Sequence, residues 1–375
     1  GASRVHWVQP HHVAQVRYAT WSRDGLLRQA SYAGLREDKP AREVVRERAR
    51  PVQETATMPT AATPARSSHR PRAPRDDDTV MGVRVTHPGR VVYGTPRVTK
   101  LEVVRYHEAM AEYLMPHLRK RPLSLLRCPQ GAGGECFFQK HIETRLPPGV
   151  VGVEVPASDG PDTQVMVSRP EGIVALAQYG TLELHTWGAR TPRLEKADRL
   201  TMDLDPDPAL PWSQVVEAAR LTRVLLEELG LRPFLKTTGG KGLHVVVPLK
   251  ATRGWDEVKA FARAVATRLA SVAPQRFTAQ LSKSRRRGRI FVDYLRNGRG
   301  ATAIAAYSLR ARDGAPVAMP LHWDALSPHE DLRGARFNLH NAAAHVADAE
   351  AAWADYDASR ATLTVKMMKA LGVTP

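Results

Sequence analysis

The chain has 375 residues, 43% hydrophobic and 25% charged, a balance that excludes a wholly disordered polypeptide. Lys and Arg total 55 against 38 Asp and Glu, and the net charge of +17 points to a polyanionic partner, most often nucleic acid. Only two cysteines, Cys128 and Cys136, are present, which excludes a disulfide framework and a four-cysteine zinc site and fits a reducing compartment.

The first residues, Gly1-Ala2-Ser3-Arg4-Val5, lack an initiator Met and the apolar stretch of a signal peptide, so a fragment of a longer polypeptide is expected. No run approaches the ~18 apolar residues of a membrane span. Residues 1–48 read as folded, with a strand around Val13, Val16 and Tyr18 and a hairpin turn at Arg23-Asp24-Gly25. Residues 49–79 are Pro, Ala, Thr and Arg with few large apolar side chains, the composition of a linker. Its Asp76-Asp77-Asp78 is read as a solvated charge run.

From residue 80 onward the pattern is mixed α and β. Thr99 caps a helix reaching about Arg119, with Glu102 at the capping-box position. Residues 173–184 read as a short helix and a strand, and Arg199–Leu204 as a strand. Trp212–Leu229 is an amphipathic helix ended by Gly230. Strands follow at Phe234–Lys236 and Leu243–Pro248, then a helix over Trp255–Val272 and a strand over Arg289–Tyr294. This β–α–β–β–α–β order predicts a split βαβ arrangement within an α+β fold. Residues 341–371 read as an Ala-rich helical tail.

The sharpest chemical signal is Met202-Asp203-Leu204-Asp205-Pro206. Side chains two apart on a strand share a face, so Asp203 and Asp205 project together while Leu204 enters the core. Paired carboxylates repel unless a cation sits between them, and hard oxygen ligands select Mg²⁺ or Mn²⁺. An acidic turn, with Asp207 and Pro208 capping the next helix, is the plainer alternative. Lys236-Thr237-Thr238-Gly239-Gly240-Lys241-Gly242-Leu243-His244 offers a Gly-rich turn between strands, with Thr238, Lys241 and His244 suited to a triphosphate. It is not a Walker loop, because a strand follows where a helix should begin. Asp293, in the apolar strand Ile290-Phe291-Val292-Asp293-Tyr294, would complete a three-carboxylate, two-metal site if its strand lies beside Asp203. The basic run Ser282–Arg289 would then stand at the mouth of that site.

Phe137 and Phe138 precede Gln139-Lys140-His141; one is expected in the core and the other stacked on a base. Cys128 and Cys136 are expected to be inert thiols. His185, in Leu184-His185-Thr186-Trp187, is open between a core histidine and a substrate contact.

Together with Thr86-His87-Pro88-Gly89-Arg90, Arg121-Pro122-Leu123 and Tyr307-Ser308-Leu309-Arg310, these motifs resemble the polymerase domain of bacterial ligase D. That family serves non-homologous end joining and belongs to the archaeo-eukaryotic primase superfamily. The resemblance covers about residues 80–375. Tyr32-Ala33-Gly34-Leu35-Arg36-Glu37-Asp38-Lys39-Pro40 resembles the last nucleotidyltransferase motif of ATP-dependent DNA ligases, at the end of an OB-fold. Without the rest of that enzyme, Arg36 and Lys39 support no ligation here.

The resemblance implies a primase-like core with an RRM-like split βαβ module and an N-terminal αβ module, preceded by a β-rich OB-fold remnant. Asp203, Asp205 and Asp293 would bind two divalent ions, Mn²⁺ or Mg²⁺. The triphosphate would meet Thr238, Lys241, His244 and Arg310, where Thr238 stands for the family's usual Ser. Phe137 or Phe138 would stack on the base, with Arg127 and Lys140 nearby. His185 is the candidate for a ribose 2′-hydroxyl, because the family favours ribonucleotides. Arg90 and Lys100 match positions that grip the 5′-phosphate of a recessed DNA end. DNA double-strand-break ends, nucleoside triphosphates, the bacterial Ku homodimer and a ligase module are the implied partners, in a cytoplasmic, nucleoid-associated setting. A de novo primase and a non-catalytic nucleic-acid-binding module are the competing readings. The first is weakened by the lack of a visible zinc or helical accessory module, the second by the intact carboxylate trio.

Overall fold

Alternating burial along one strand and three-to-four-residue apolar spacing in two helices decide how the layers stack. The computed structural model describes residues 78–374, apart from 142–145, 157–159 and 161, and the backbone of four short strands between residues 13 and 36. The chain divides into two units, Gly1–Pro71 and Arg72–Pro375.

In the first unit β1 (Val13–Arg17) pairs antiparallel with β4 (Ser31–Arg36), and β2 (Thr20–Trp21) pairs antiparallel with β3 (Leu27–Arg28). The hairpin turn expected at residues 23–25 lies outside the described residues, as do residues 37–40 of the ligase-like motif and residues 49–77 of the expected linker.

The second unit begins with the small ribbons β5 (Thr79–Val80) with β6 (Val83–Arg84) and β7 (Val91–Tyr93) with β8 (Val98–Thr99). Helix α1 (Lys100–Leu118) follows. Its capping box is formed as expected: Glu102 N–H donates to Thr99 Oγ1 (3.3 Å), and Thr99 N–H donates to Glu102 Oε2 (2.7 Å). Next come β9 (Leu123–Arg127), β10 (Phe137–Gln139), β11 (Val150–Val155), β12 (Asp162–Val167), α2 (Pro170–Gln178) and β13 (Thr181–Trp187). The segment with the expected split arrangement comprises β14 (Arg199–Pro206), α3 (Trp212–Glu228), β15 (Phe234–Thr237), β16 (Leu243–Pro248), α4 (Trp255–Val272), β17 (Phe277–Thr278) and β18 (Ile290–Asp293). The chain closes with β19 (Thr302–Ile304), β20 (Pro320–Leu321), α5 (Val346–Ala352) and α6 (Val365–Ala370).

Two six-stranded sheets result. One runs β11-β12-β9-β13-β19, with β10 added along β9. The other runs β17-β18-β14-β16-β15-β20. Within it, β14 lies antiparallel between β18 and β16, so the first strand of the split arrangement sits beside its last. Leu200, Met202 and Leu204 of β14 are fully buried. Helices α3 and α4 pack on this strand, with Val215, Ala219 and Leu226 and with Val258, Phe261, Val265 and Leu269 turned inward. That burial turns the alternate residues of β14 to the opposite face.

Two expectations are corrected. The tail is not one helix but two short ones, α5 and α6. Between them Trp353 and Tyr356 stack on each other (4.8 Å between ring centroids) and pack against Phe234, and Trp353 Nε1 donates to the Leu235 carbonyl (2.9 Å). Cys128 and Cys136 are not free thiols but a disulfide. Strand β10 pairs with β9, Phe137 opposite Arg127, and that register brings the flanking cysteines to a Cα separation of 4.3 Å. No helix among the described residues is long and apolar enough to cross a membrane.

Candidate active site

Asp203 and Asp205, both half-buried, leave the face of β14 opposite Leu204, as the alternation predicts. Asp203 is the antiparallel register partner of Asp293 on one side and of His244 on the other. All three carboxylates line one cavity of about 170 Å³, together with His185, Thr238, Lys241, His244, Arg296, Arg310 and Arg312.

The carboxylates are held by cations. Arg296 Nε lies 3.2 Å from Asp203 Oδ2 and 3.6 Å from Asp293 Oδ2. Lys241 Nζ lies 2.9 Å from Asp205 Oδ1, and Arg286 Nη1 lies 3.5 Å from Asp205 Oδ2. His244 Nε2 stands 3.5 Å from Asp203 Oδ2. Burial would raise the Asp203 carboxyl, but His244 and Arg296 outweigh it and hold it well below the usual carboxylate range. For Asp293 burial wins, the Asp203 charge adds to it, and its pKa is raised. Burial, helped by the Lys236 ammonium, pushes His244 down to about 4, so its imidazole is neutral near pH 7.

The Gly-rich turn between β15 and β16 forms the next wall. Gly239 has φ +64°, and a Cβ on Gly242 would collide with the Leu204 carbonyl, so both positions need glycine. Thr238 Oγ1 donates to the Gly242 carbonyl (3.0 Å) and accepts from Gly240 N–H (3.2 Å). Lys241 Nζ also donates to the Pro206 carbonyl (2.6 Å), so the loop is tied to the end of β14. Arg310 Nη1 donates to the Thr238 carbonyl (2.7 Å).

Strand β13 of the other sheet supplies His185. Its Nε2 lies 2.7 Å from Glu183 Oε2, and the Phe138 ring stands edge-on to it with centroids 5.4 Å apart. Phe137 is 45% exposed and Phe138 61%, which corrects the expectation that one of them is core. Strand β10 pairs only along β9 and leaves both rings to solvent. Arg127 holds this strand in place. Its Nη1 donates to Gln139 Oε1 (2.8 Å), its Nη2 to the Tyr179 carbonyl (2.8 Å), and its guanidinium lies over the Phe137 ring. Lys140 is half-buried just beyond β10.

Arg90 and Lys100 form a separate basic point outside the cavity. Lys100 N–H donates to the Arg90 carbonyl (2.8 Å), and its buried Nζ donates to the Thr86 carbonyl (2.9 Å). Burial, with Arg90 adding, pushes the Lys100 ammonium down to about 8. Asp207 is not a helix cap. Its carboxylate accepts from Ala209 N–H and Gly288 N–H, pinning the end of the basic run, whose Lys283–Arg286 form a 3-10 turn, beside the site. Sequence reading missed Arg296, Arg312 and Glu183. Arg296 lay three positions after Asp293, and Glu183 two before His185 on a strand whose every residue is buried.

The donor set suits a divalent ion: hard carboxylate oxygens on adjacent strands, with a buried His244 Nδ1 that has no partner. Each of these carboxylates faces a protein cation. Among the described residues no group of three or more His, Cys, Asp or Glu is gathered closely enough to hold a metal. Arg296 reaches both Asp203 and Asp293, so an ion between those two would have to replace its guanidinium.

Residues 99–353 match the family model for the LigD primase-polymerase domain, and residues 1–39 match the C-terminal region of ATP-dependent DNA ligases. The multifunctional non-homologous end joining protein LigD of Pseudomonas aeruginosa is 43% identical over 371 residues, 98% of this chain and 43% of that protein. Its namesake from Mycolicibacterium smegmatis is 35% identical over 258 residues, 68% of this chain and 34% of that protein. The chain thus spans less than half the length of these relatives. The polymerase domain of Mycobacterium tuberculosis ligase D, solved in complex with DNA, superposes with a TM-score of 0.68 at 31% identity, covering 74% of this chain and 99% of that one.

Proposed function

The chain belongs to the LigD primase-polymerase family, and from that premise we propose that it adds nucleotides to a primer 3′-hydroxyl at broken DNA ends, filling gaps and extending ends with ribonucleotides preferred. The observation that carries this reading is the meeting of Asp203, Asp205 and Asp293 with Thr238, Lys241, His244 and Arg310 around one cavity. The primer 3′-hydroxyl gives its proton to water, its oxygen bonds to the α-phosphorus, the bond from that phosphorus to the oxygen bridging to the β-phosphate breaks, and pyrophosphate leaves.

Asp203, Asp205 and Asp293 would hold two divalent ions, Mn²⁺ or Mg²⁺, once Arg296 gives up its place between Asp203 and Asp293. Such ions would lower the pKa of the attacking hydroxyl and neutralise charge on the leaving group. The protein's own part is positioning. Lys241 and Arg310, with Arg312 at the rim, meet the triphosphate charge, and Thr238 with the turn amides orients it. His244, whose Nε2 faces Asp203, stands in the wall that meets the triphosphate. Phe138, exposed edge-on to His185, or Phe137, exposed under Arg127, offers a stacking face to the base, with Lys140 nearby. The Nε2–H of His185 is committed to Glu183, which leaves Nδ1 as an acceptor for a ribose 2′-hydroxyl. Arg90 and Lys100 grip the 5′-phosphate across the gap.

In this reading residues 1–48 are the C-terminal remnant of a ligase OB-fold, 49–79 a linker, and 80–375 the polymerase. The polymerase combines an RRM-like split βαβ module with an N-terminal αβ module. The relatives are named for non-homologous end joining, which supports a place in that repair; the reading takes Ku homodimer and a ligase module as partners, in a cytoplasmic, nucleoid-associated setting.

The test is extension of a gapped duplex bearing a 5′-phosphate, comparing ribo- with deoxynucleotides and Mn²⁺ with Mg²⁺. Metal-dependent addition that Asp203→Ala abolishes is expected. Absence of primer extension with either ion rejects the reading, and products formed without a primer favour a primase.

A further inference from the structure

We propose that Glu183 is a positioning residue: it locks His185 and Arg310 into one unit, and so sets how sharply the site separates ribonucleotides from deoxynucleotides. The sugar discrimination rests on the polymerase reading above; the geometry of the lock does not.

Glu183 and His185 are two apart on β13 and share a face. The strand's register with β9 shifts between Thr181 and Glu183, an irregularity that re-aims the side chain. The Glu183 carboxylate is only 5% exposed, yet it is fully used. One oxygen takes His185 Nε2–H at 2.7 Å. The other takes Ala311 N–H at 2.9 Å and faces Arg310 Nε at 3.0 Å. Arg310 in turn reaches the Gly-rich turn through the Thr238 carbonyl, and His185 touches the Phe138 ring. A single carboxylate therefore joins side chains assigned to base, sugar and triphosphate.

The chemical consequence lies in the imidazole. A carboxylate only accepts, so the proton of neutral His185 is held on Nε2. Nδ1, which has no partner among the described residues, is left as an acceptor on a ring that lines the cavity. An acceptor in a fixed place rewards a 2′-hydroxyl donor and offers nothing to a deoxyribose. With glutamine at 183, one carbonyl oxygen must serve either His185 or Arg310, and the amide N–H₂ clashes with the remaining donors. The ring is then free to turn or change tautomer.

Two measurements decide the matter. Long-range ¹⁵N–¹H spectra of histidine-labelled full chain should show His185 protonated on Nε2 near pH 7, and Glu183→Gln should mix the tautomers. This needs no turnover, so it stands or falls separately from the polymerase reading. A His185 proton on Nδ1 in the unaltered protein overturns the proposal, even if Glu183→Gln fails to fold. In primer extension, Glu183→Gln should lower the ribo-to-deoxy ratio of kcat/KM by about 10-fold, the scale of losing a partner that orients a functional histidine. It should add no further loss in a His185→Ala background. A ratio held within twofold, or an additive loss in the double variant, overturns it.

Discussion

Asp203 and Asp293 face each other across antiparallel strands, and one guanidinium, that of Arg296, reaches both carboxylates. The two acids are thereby driven apart in proton affinity, one lowered and one raised, although they are cross-strand partners. Two half-buried like charges are held together here by a protein cation, which a bound metal would have to displace.

That competition is measurable. Arg296→Ala should tighten Mn²⁺ binding by about tenfold, the equivalent of one charged hydrogen bond of roughly 1.5 kcal/mol. Asp203→Asn should remove binding altogether while leaving the circular dichroism spectrum unchanged. Electron paramagnetic resonance titration of free Mn²⁺ reads both. Weaker binding in Arg296→Ala would show that the arginine supports the metal site rather than competing with it.

Lys100 predicts a pH dependence. Its ammonium, pushed down to about 8 by burial and Arg90, is charged at pH 7 and mostly neutral at pH 9. A group with a lowered pKa loses its charge as pH rises through that value, so recognition of a 5′-phosphate should weaken over this window. The preference for a 5′-phosphorylated over a 5′-hydroxyl gap should fall by up to about tenfold between pH 7 and 9. Lys100→Gln should show a low, pH-independent preference. An unaltered protein whose preference stays flat from pH 7 to 9 would remove Lys100 from the phosphate site.

Much of this architecture is legible in the sequence. Helix α4 begins and ends where the apolar spacing places it, because Gly254 and Glu257 form its cap and Phe261, Val265 and Leu269 repeat on one face. Asp203 and Asp205 followed from the two-residue period of β14. What was not legible depends on register. The Cys128–Cys136 bond, the exposure of both Phe137 and Phe138, and the reach of Arg296 to Asp203 arise from which strand lies beside which. Glu183 was within reach of sequence reasoning: two polar side chains, Glu183 and His185, share a face of an otherwise apolar strand and need each other there.

The two phenylalanines should separate binding from stability. Both are exposed and make few contacts, so Phe138→Ala should change unfolding free energy by no more than about 0.5 kcal/mol. Its KM for nucleotide should rise by roughly tenfold, near the low end of one lost stacking contact at about 1–3 kcal/mol. Phe137→Ala, whose ring lies under Arg127, should cost nucleotide affinity in the same direction. Steady-state extension together with urea unfolding tests the pair. A fall in stability with unchanged KM would return these rings to a structural role.

The motif Arg121-Pro122-Leu123 should behave in the opposite way. Arg121 is fully buried, and its two terminal nitrogens donate to Asp198 at 2.6 and 2.8 Å. Nη1 also donates to the Trp187 carbonyl at 3.1 Å. Asp198 precedes β14 and Trp187 ends β13, so one guanidinium ties together the strands that carry Asp203 and His185. Arg121→Ala strands a buried carboxylate whose other cations, Arg190 and Arg360, stand 3.6 Å away. The expected loss is about 3–5 kcal/mol of unfolding free energy. Replacing both partners, Arg121→Met with Asp198→Leu, should recover most of it, because two buried charges are then removed together. Urea denaturation of the single and double variants reads the result. If the single substitution costs less than about 1 kcal/mol, the pair does not bind the two sheets together, and the motif's arginine must be explained by something other than packing.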